Sequence, residues 1–300
     1  MLPSALALLI LIGFTASPTS GDSEDPSPSV YLSVCGKNIT PDAQSFANNF
    51  VDAAEKISQN IKTSGFGTSS SGDTLTVFVL GQCYSYLSPP NCQLCFDQSR
   101  SRLPSCYPAV SGRIYVDGCF LEYSDRNVET DSVDSADAYA CSNITVEDRI
   151  RPVFSKSTAE LMGNLTGEAG RKADYSQVGS VTVAPDLTVY GMAECWRTLN
   201  VTGCKDCLEK GRANIVGKCL PAGGGKAMNA GCFLRYSVDS FYANQSSSAG
   251  GGGGDSSADR GCVGPVLQYA GNLSRQYAAD RVVPSASSRR LLATDLISCR

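Results

Sequence analysis

Two stretches decide the fold: Cys83-Tyr-Ser-Tyr-Leu-Ser-Pro-Pro-Asn-Cys92-Gln-Leu-Cys95 and Cys195-Trp-Arg-Thr-Leu-Asn-Val-Thr-Gly-Cys204-Lys-Asp-Cys207. Both read C-x8-C-x2-C with little else in common. Working outward, one cysteine precedes each (Cys35, Cys141) and two follow (Cys106 and Cys119; Cys219 and Cys232). The later gaps are x10 and x12 in the first set, x11 and x12 in the second, and the opening gaps x47 and x53 differ by a loop insertion. Flanking residues agree as well: Cys35-Gly-Lys-Asn-Ile-Thr matches Cys141-Ser-Asn-Ile-Thr, and Gly118-Cys-Phe-Leu-Glu-Tyr-Ser matches Gly231-Cys-Phe-Leu-Arg-Tyr-Ser. The chain is an internal duplication.

Its 300 residues leave room for two domains of ordinary size. Residues 2–14 are almost wholly apolar and are followed by small and polar residues, so 1–21 reads as a signal peptide without Lys or Arg in its first segment. No later stretch has the run of apolar residues a membrane span needs, and residues 291–300 are too short and polar for a lipid-anchor signal. The expected divisions are 28–127 for the first copy, 128–140 for an acidic linker over the surface, 141–243 for the second copy, and 244–300 for a Gly/Ser-rich linker and disordered tail. Cys262 and Cys299 fall in that tail.

Fourteen cysteines in a chain bound for an oxidising compartment argue for disulfides. Six cysteines per copy allow fifteen pairings, and spacing does not choose among them. Zinc at the C-x2-C pairs would require reduced thiolates, and the chain has no histidine to complete a mixed site. A thioredoxin-like dithiol would leave the other regularly spaced cysteines without a role. Asn38, Asn143, Asn164, Asn200, Asn244 and Asn272 each open an N-x-Ser/Thr sequon, as expected of a secreted glycoprotein.

Within the first copy, Phe46, Phe50, Ala54, Ile57 and Ile61 recur at helical spacing and predict an amphipathic helix over 43–62. A β-branched run predicts a strand over 74–80, and 113–116 and 119–124 form a hairpin around Asp117-Gly118. A shorter helix over 92–103 ends at Pro104. The second copy offers a helix over 148–165, with Pro152 near its start, and strands over 181–183, 187–195 and 232–237. The fold class is α+β: two tandem disulfide-stapled domains, each an antiparallel sheet with two helices packed on one face.

The twin C-x8-C-x2-C pattern with its flanking cysteines resembles the ginkbilobin-2-homologous domain of plant secreted proteins, over roughly residues 34–242. Tandem copies occur in cysteine-rich receptor-like kinases, plasmodesmata-located proteins and cysteine-rich repeat secretory proteins. The runs Tyr190-Gly-Met-Ala-Glu-Cys-Trp and Lys226-Ala-Met-Asn-Ala-Gly-Cys-Phe-Leu-Arg-Tyr-Ser are most similar to the receptor-like kinase ectodomains. The resemblance implies the pairs Cys35/Cys106, Cys83/Cys92 and Cys95/Cys119, then Cys141/Cys219, Cys195/Cys204 and Cys207/Cys232.

It also implies a place to look for sugar. The member that names the family binds mannose through an asparagine, an arginine and a glutamate. At the matching positions the first copy has Gly36, Arg113 and Ser124, and the second has Ser142, Lys226 and Ser237. Only Arg113 is retained, Lys226 lacks the planar donor fork, and Glu122, two residues before Ser124, lies on the same strand face. Arg113 and Glu122 are the carbohydrate-binding candidates.

Without histidine, Ser-His-Asp and Cys-His catalysis are excluded, and Gly250 to Gly254 form a spacer, not a phosphate loop. A net charge of −4 with scattered cations gives nucleic acid no surface. The expectation is a non-enzymatic, cofactor-free and metal-free extracellular recognition module that binds protein or cell-wall carbohydrate. It would be secreted to the apoplast, as a kinase-less form of a receptor-like kinase ectodomain and in association with such kinases. A membrane-anchored form would sit at the plasma membrane or plasmodesmata. The alternative is a soluble mannose-binding antifungal protein. Sheet edges and the packed face between the copies are the surfaces left for docking.

Overall fold

The structure, a computed structural model, describes residues 29–242. The expected signal peptide, the tail, Asn244, Asn272, Cys262 and Cys299 lie outside the described residues. The first copy runs β1 (Val30–Cys35), α1 (Ala43–Ser64), β2 (Phe66–Ser71), β3 (Val77–Cys83), α2 (Pro89–Arg102), β4 (Ser111–Val116) and β5 (Cys119–Ser124). The second runs β6 (Ala138–Cys141), α3 (Arg151–Ala169), β7 (Ser176–Ala184), β8 (Leu187–Cys195), α4 (Val201–Lys218), β9 (Gly224–Asn229) and β10 (Cys232–Ser237). Each forms a five-stranded antiparallel sheet, in the order β1-β4-β5-β3-β2 and β6-β9-β10-β8-β7, so the duplication extends to topology.

Local chemistry explains where the elements start and stop. Asp42 accepts from the Ser45 N–H at 3.0 Å to cap α1, which continues past the expected Lys62 until Gly65, at φ 70°, closes it by donating to the Ile61 carbonyl. Pro152 stands in the first turn of α3, so that helix starts at Arg151 and not at 148. The expected 74–80 strand sits three residues further on as β3, because residues 72–76 form the turn out of β2.

The strands β1, β2, β6 and β9 escaped the periodicity reading. The first three are edge strands, and β9 is Gly-Gly-Lys-Ala-Met-Asn. Glycine is required there: a Cβ on Gly225 would come within 2.6 Å of the Tyr236 ring and 3.2 Å of the Cys219 Cβ. Gly112 is in the same position in the first copy, 2.9 Å from Tyr123 and 3.1 Å from the Cys106 sulfur. Each glycine makes room for a disulfide against a tyrosine ring.

Six disulfides form as the resemblance implied, with Cα–Cα distances of 5.0 to 6.0 Å. The two cysteines of each C-x2-C pair bond in different directions, one to a strand end nine residues back and the other to the β-hairpin. They therefore staple α2 and α4 to their sheets. Cys35–Cys106 and Cys141–Cys219 close separations of 71 and 78 residues. In the chain-entropy model such a loop is worth about 4 kcal/mol.

Alternation along the strands gives each sheet two apolar faces. One packs under the helices: Val79, Ile114, Leu121 and Tyr123 meet Phe46, Phe50, Ile57 and Phe96 in the first copy. The other meets the second sheet, where Leu80, Tyr84, Tyr115 and Phe120 join Met192, Trp196, Met228 and Phe233 in one buried cluster. Contacts across this seam are reciprocal. Tyr84 stacks on Phe233 at 4.5 Å and Trp196 on Phe120 at 4.3 Å, and Tyr84 and Trp196 each directly follow the second cysteine of their copy.

The residues just before those cysteines, Gln82 and Glu194, also exchange. Gln82 Nε2 donates to Glu194 Oε1 at 2.8 Å and its Oε1 accepts from the Arg197 N–H at 3.0 Å, while Glu194 Oε2 accepts from the Ser85 N–H at 2.9 Å. The face between the copies, expected as a docking surface, is thus closed by the protein itself. Burying a large apolar side chain contributes about 1.5–3 kcal/mol, and eight participate here. Trp196→Ala is expected to lower the unfolding free energy by about 3–5 kcal/mol, measured by urea denaturation. An unchanged midpoint would show that the two sheets do not depend on each other.

Candidate functional site

Arg113 on β4 and Glu122 on β5 are cross-strand partners on the face that meets the second copy, as their alternation predicts. Both are buried, at 4% and 8% exposure. The Arg113 guanidinium forks onto Asp134, with Nη1 at 2.6 Å and Nη2 at 2.9 Å, and approaches Asp137 at 3.6 Å. Its Nε is buried without an acceptor. Bidentate pairing of this kind is the strongest an arginine makes with a carboxylate.

Asp134 and Asp137 belong to the segment expected as an acidic linker over the surface; residues 129–140 are exposed or half-exposed, but these two carboxylates are tied into the body. The Asp137 side chain is almost fully buried and accepts from the Ala230 N–H at 2.8 Å, Lys210 Nζ at 2.9 Å and the Asp134 N–H at 3.0 Å. Val128 is buried as well, and residues 138–141 already form β6. The connector is strapped across both copies because Asp134 neutralises Arg113, which would otherwise be buried unpaired, while Asp137 ties to the Ala230 N–H and to the exposed Lys210 of the second copy. A carboxylate pair three residues apart, between a lone strand arginine and a helix lysine, was the signal in the sequence.

The remaining positions implied by the resemblance give a sugar little. A Cβ on Gly36 would stand 2.2 Å from Ser111 Oγ, so a side chain there needs Ser111 to move. Ser124 is buried. In the second copy Lys226 lies over the Tyr31 ring at 4.3 Å, and Arg235, the counterpart of Glu122, donates to Tyr31 Oη at 2.9 Å and Asp117 at 3.2 Å while covering Phe241 at 4.1 Å. Both versions of the site are thus turned to holding the copies together.

Burial sets the electrostatics. It pushes the Glu122 carboxyl up to about 8 against the opposing charge of Arg113, and the Glu194 carboxyl up to about 7 against the donors Ser85 and Gln82. Asp134 goes the other way: burial would raise it, but the Arg113 hydrogen bonds and charge hold it below the usual carboxylate range. Lys226 is lowered by burial and by the charge of Arg235.

The sequon asparagines Asn38, Asn143, Asn164 and Asn200 are all exposed. Asn200 caps α4 through its side-chain oxygen, which accepts from the Gly203 N–H at 2.8 Å. A cavity of about 500 Å³ lies away from Arg113 and Glu122, between α3 and α4. Among the described residues, no helix is long and apolar enough to cross a membrane.

Two five-stranded sheets, each stapled by three disulfides, closed back to back and strapped by their connector, define a tandem ectodomain-like module. The chain belongs to the salt stress response/antifungal family, whose sequence profile matches residues 34–126 and 140–239. It is 36% identical over 225 residues to cysteine-rich receptor-like protein kinase 42 of Arabidopsis thaliana, covering 74% of this chain and 33% of the kinase. The chain thus spans about a third of the length of such kinases. With the antimicrobial ginkbilobin-2-like protein of Castanea crenata it shares 25% identity over 199 residues, 65% of this chain and 81% of that protein. The crystal structure of the tandem DUF26 ectodomain of the Arabidopsis cysteine-rich receptor-like protein PDLP8 superimposes with a TM-score of 0.58 at 20% identity, over 70% of this chain and 98% of that one. The fold is therefore the tandem DUF26 fold.

The two raised carboxyls imply a definite pH dependence. A carboxyl whose folded pKa lies above its unfolded value binds a proton more readily when folded. The stability it contributes is fully present below the unfolded value and is lost as pH rises through about 8 for Glu122 and about 7 for Glu194. The melting temperature is expected to fall between about pH 5 and about pH 8, and Glu122→Gln should flatten that slope. A melting temperature that rises across this range would overturn the assignment.

Proposed function

We propose that this protein is a non-enzymatic extracellular recognition module that acts by contact with another protein or with cell-wall carbohydrate. What carries the reading is the internal closure of the two copies: a preformed, covalently stapled body whose free surfaces are its helices, loops and sheet edges. Rigidity of this kind reduces the ordering cost of binding. Membership of the family, and similarity to receptor-like kinase ectodomains, support placing that body outside the cell, in the apoplast. A membrane-bound relative of the same ectodomain would present it at the plasma membrane or at plasmodesmata, in association with receptor-like kinases.

Catalysis is not part of the proposal. No histidine is available, and the two carboxyls with raised pKa are buried at the seam between the copies, out of reach of a substrate. The mannose-binding reading is the weaker one, because Asp134 occupies the Arg113 fork that would meet the sugar and because truncated hydrogen-bond sets bind sugars poorly.

The test is a glycan array run beside affinity capture of extracellular proteins on the oxidised, immobilised chain. Expected is reversible binding of a wall polymer or a protein that is lost when the disulfides are reduced, with no response to mannose. Turnover of a sugar or peptide would defeat the proposal, and saturable mannose binding abolished by Arg113→Ala would replace it with the lectin reading.

A further inference from the structure

The two copies serve as controls for each other. Buried residues in α1 (Phe46, Phe50, Ala54, Ile57, Ile61) and in α3 (Phe154, Thr158, Met162, Leu165, Ala169) follow the same spacing of 4, 4, 3 and 4, which aligns the helices without gaps. The cysteines align α2 with α4. In the first copy Glu55 and Arg100 bridge the two helices at 2.8 Å. Arg100 corresponds to Arg212, but Glu55 corresponds to Gly163, and Gln59 and Lys62 correspond to Gly167 and Gly170. Where Glu55 reaches Arg100 in the first copy, the second has a cavity of about 500 Å³ lined by Gly163, Gly167 and Gly170, a volume typical of small-ligand sites.

Three cations line the opening, of which only Arg212 has a cationic counterpart in the first copy, Arg100; Arg171 and Lys205 stand where the first copy has Thr63 and Gln93. Arg171 and Lys205 line one end and Arg212 lies two turns along α4, roughly 10 Å away. Among the described residues no carboxylate is within ion-pair distance of Arg171 or Arg212, while Lys205 has a 3.8 Å contact with Glu209, the one carboxylate that also lines the opening. The walls are therefore net positive in a chain whose net charge is −4. Packing does not demand the glycines: a Cβ on Gly163 or Gly167 would meet nothing within 4 Å. Mid-helix glycine costs about 1 kcal/mol against alanine, so both are a cost to the free protein that close approach of a ligand would justify.

We propose that the α3–α4 groove binds a short, linear uronic-acid oligosaccharide, one carboxylate on Arg212 and another at the Arg171 and Lys205 end. Charge selects an acid. The walls are helices whose backbone groups are already paired, so there is no strand edge for an extended peptide, and Val201 is the exposed apolar anchor at the mouth. A sugar acid needs neither, since it carries a carboxylate and hydroxyls on every unit. Asn164 lies about 100° round the helix from Gly163, so a glycan there projects beside the groove, whereas the Asn200 sequon adjoins Val201 at the mouth. The inference rests on the recognition-module reading and supplies its site and ligand class.

Calorimetric titration of the secreted, oxidised protein with a defined oligogalacturonate tests it, beside the fully methyl-esterified oligomer and a glutamate peptide of equal charge. Expected is binding of the free acid at least tenfold tighter than of either comparator, weakened tenfold or more by Arg212→Ala. Gly163→Glu, which rebuilds the first copy's bridge, should abolish binding without lowering the melting temperature. Equal binding of the ester or the peptide, no binding of the acid, or affinity unchanged in both variants would overturn it. If the acid fails to bind while the same protein still captures a wall polymer or protein, only this inference falls. If nothing is captured either, the recognition-module reading falls with it.

Discussion

The structure depends on the reciprocal exchange of side chains between the backs of the two sheets. A sheet with two apolar faces cannot stand in water with only one covered by helices, and here the second face of each copy is covered by the other. The aromatic stacks of Tyr84 on Phe233 and Trp196 on Phe120 supply the area, and Gln82 and Glu194 satisfy each other's buried polar atoms together with the Ser85 and Arg197 N–H groups. Disulfides serve a different purpose: they tie helices and strand ends within a copy, and among the described residues none crosses between copies.

This division explains what could be read from residues alone. Cysteine spacing, the periodic face of α1 and the Asp117-Gly118 hairpin are local signals, and the structure places the corresponding elements within a few residues of expectation. The edge strand β2 and the inner strand β9 were not legible, since Phe-Gly-Thr-Ser-Ser-Ser and Gly-Gly-Lys-Ala-Met-Asn owe their conformation to neighbours and not to propensity. The disulfide pairing required the family resemblance, because spacing leaves all connectivities open.

The candidate site was half legible. Arg113 and Glu122 do share a strand face, but alternation cannot tell a face that meets solvent from one that meets a second domain. Their burial, and the seating of Asp134 and Asp137 against them, arise from contacts more than twenty residues apart or between copies. The groove between α3 and α4 was missed for the opposite reason. It is defined by side chains that are absent, and only alignment of the buried faces of α1 and α3 puts Gly163 at the position of Glu55, which bridges to Arg100 in the first copy.

The seam also bears on which halves can marry. Seam residues have diverged into complements: Gln82 faces its own counterpart Glu194, and Arg235, which stands where the first copy has Glu122, reaches Asp117 of the other half. Two second halves brought together in the same manner would set Glu194 against Glu194 in a dry interior and would leave Arg235 without its acid. Like charges so placed disfavour that assembly. Once the halves had drifted apart in this way, neither could be exchanged for a copy of its twin, and a gene duplication became an obligate heterodimer written on a single chain.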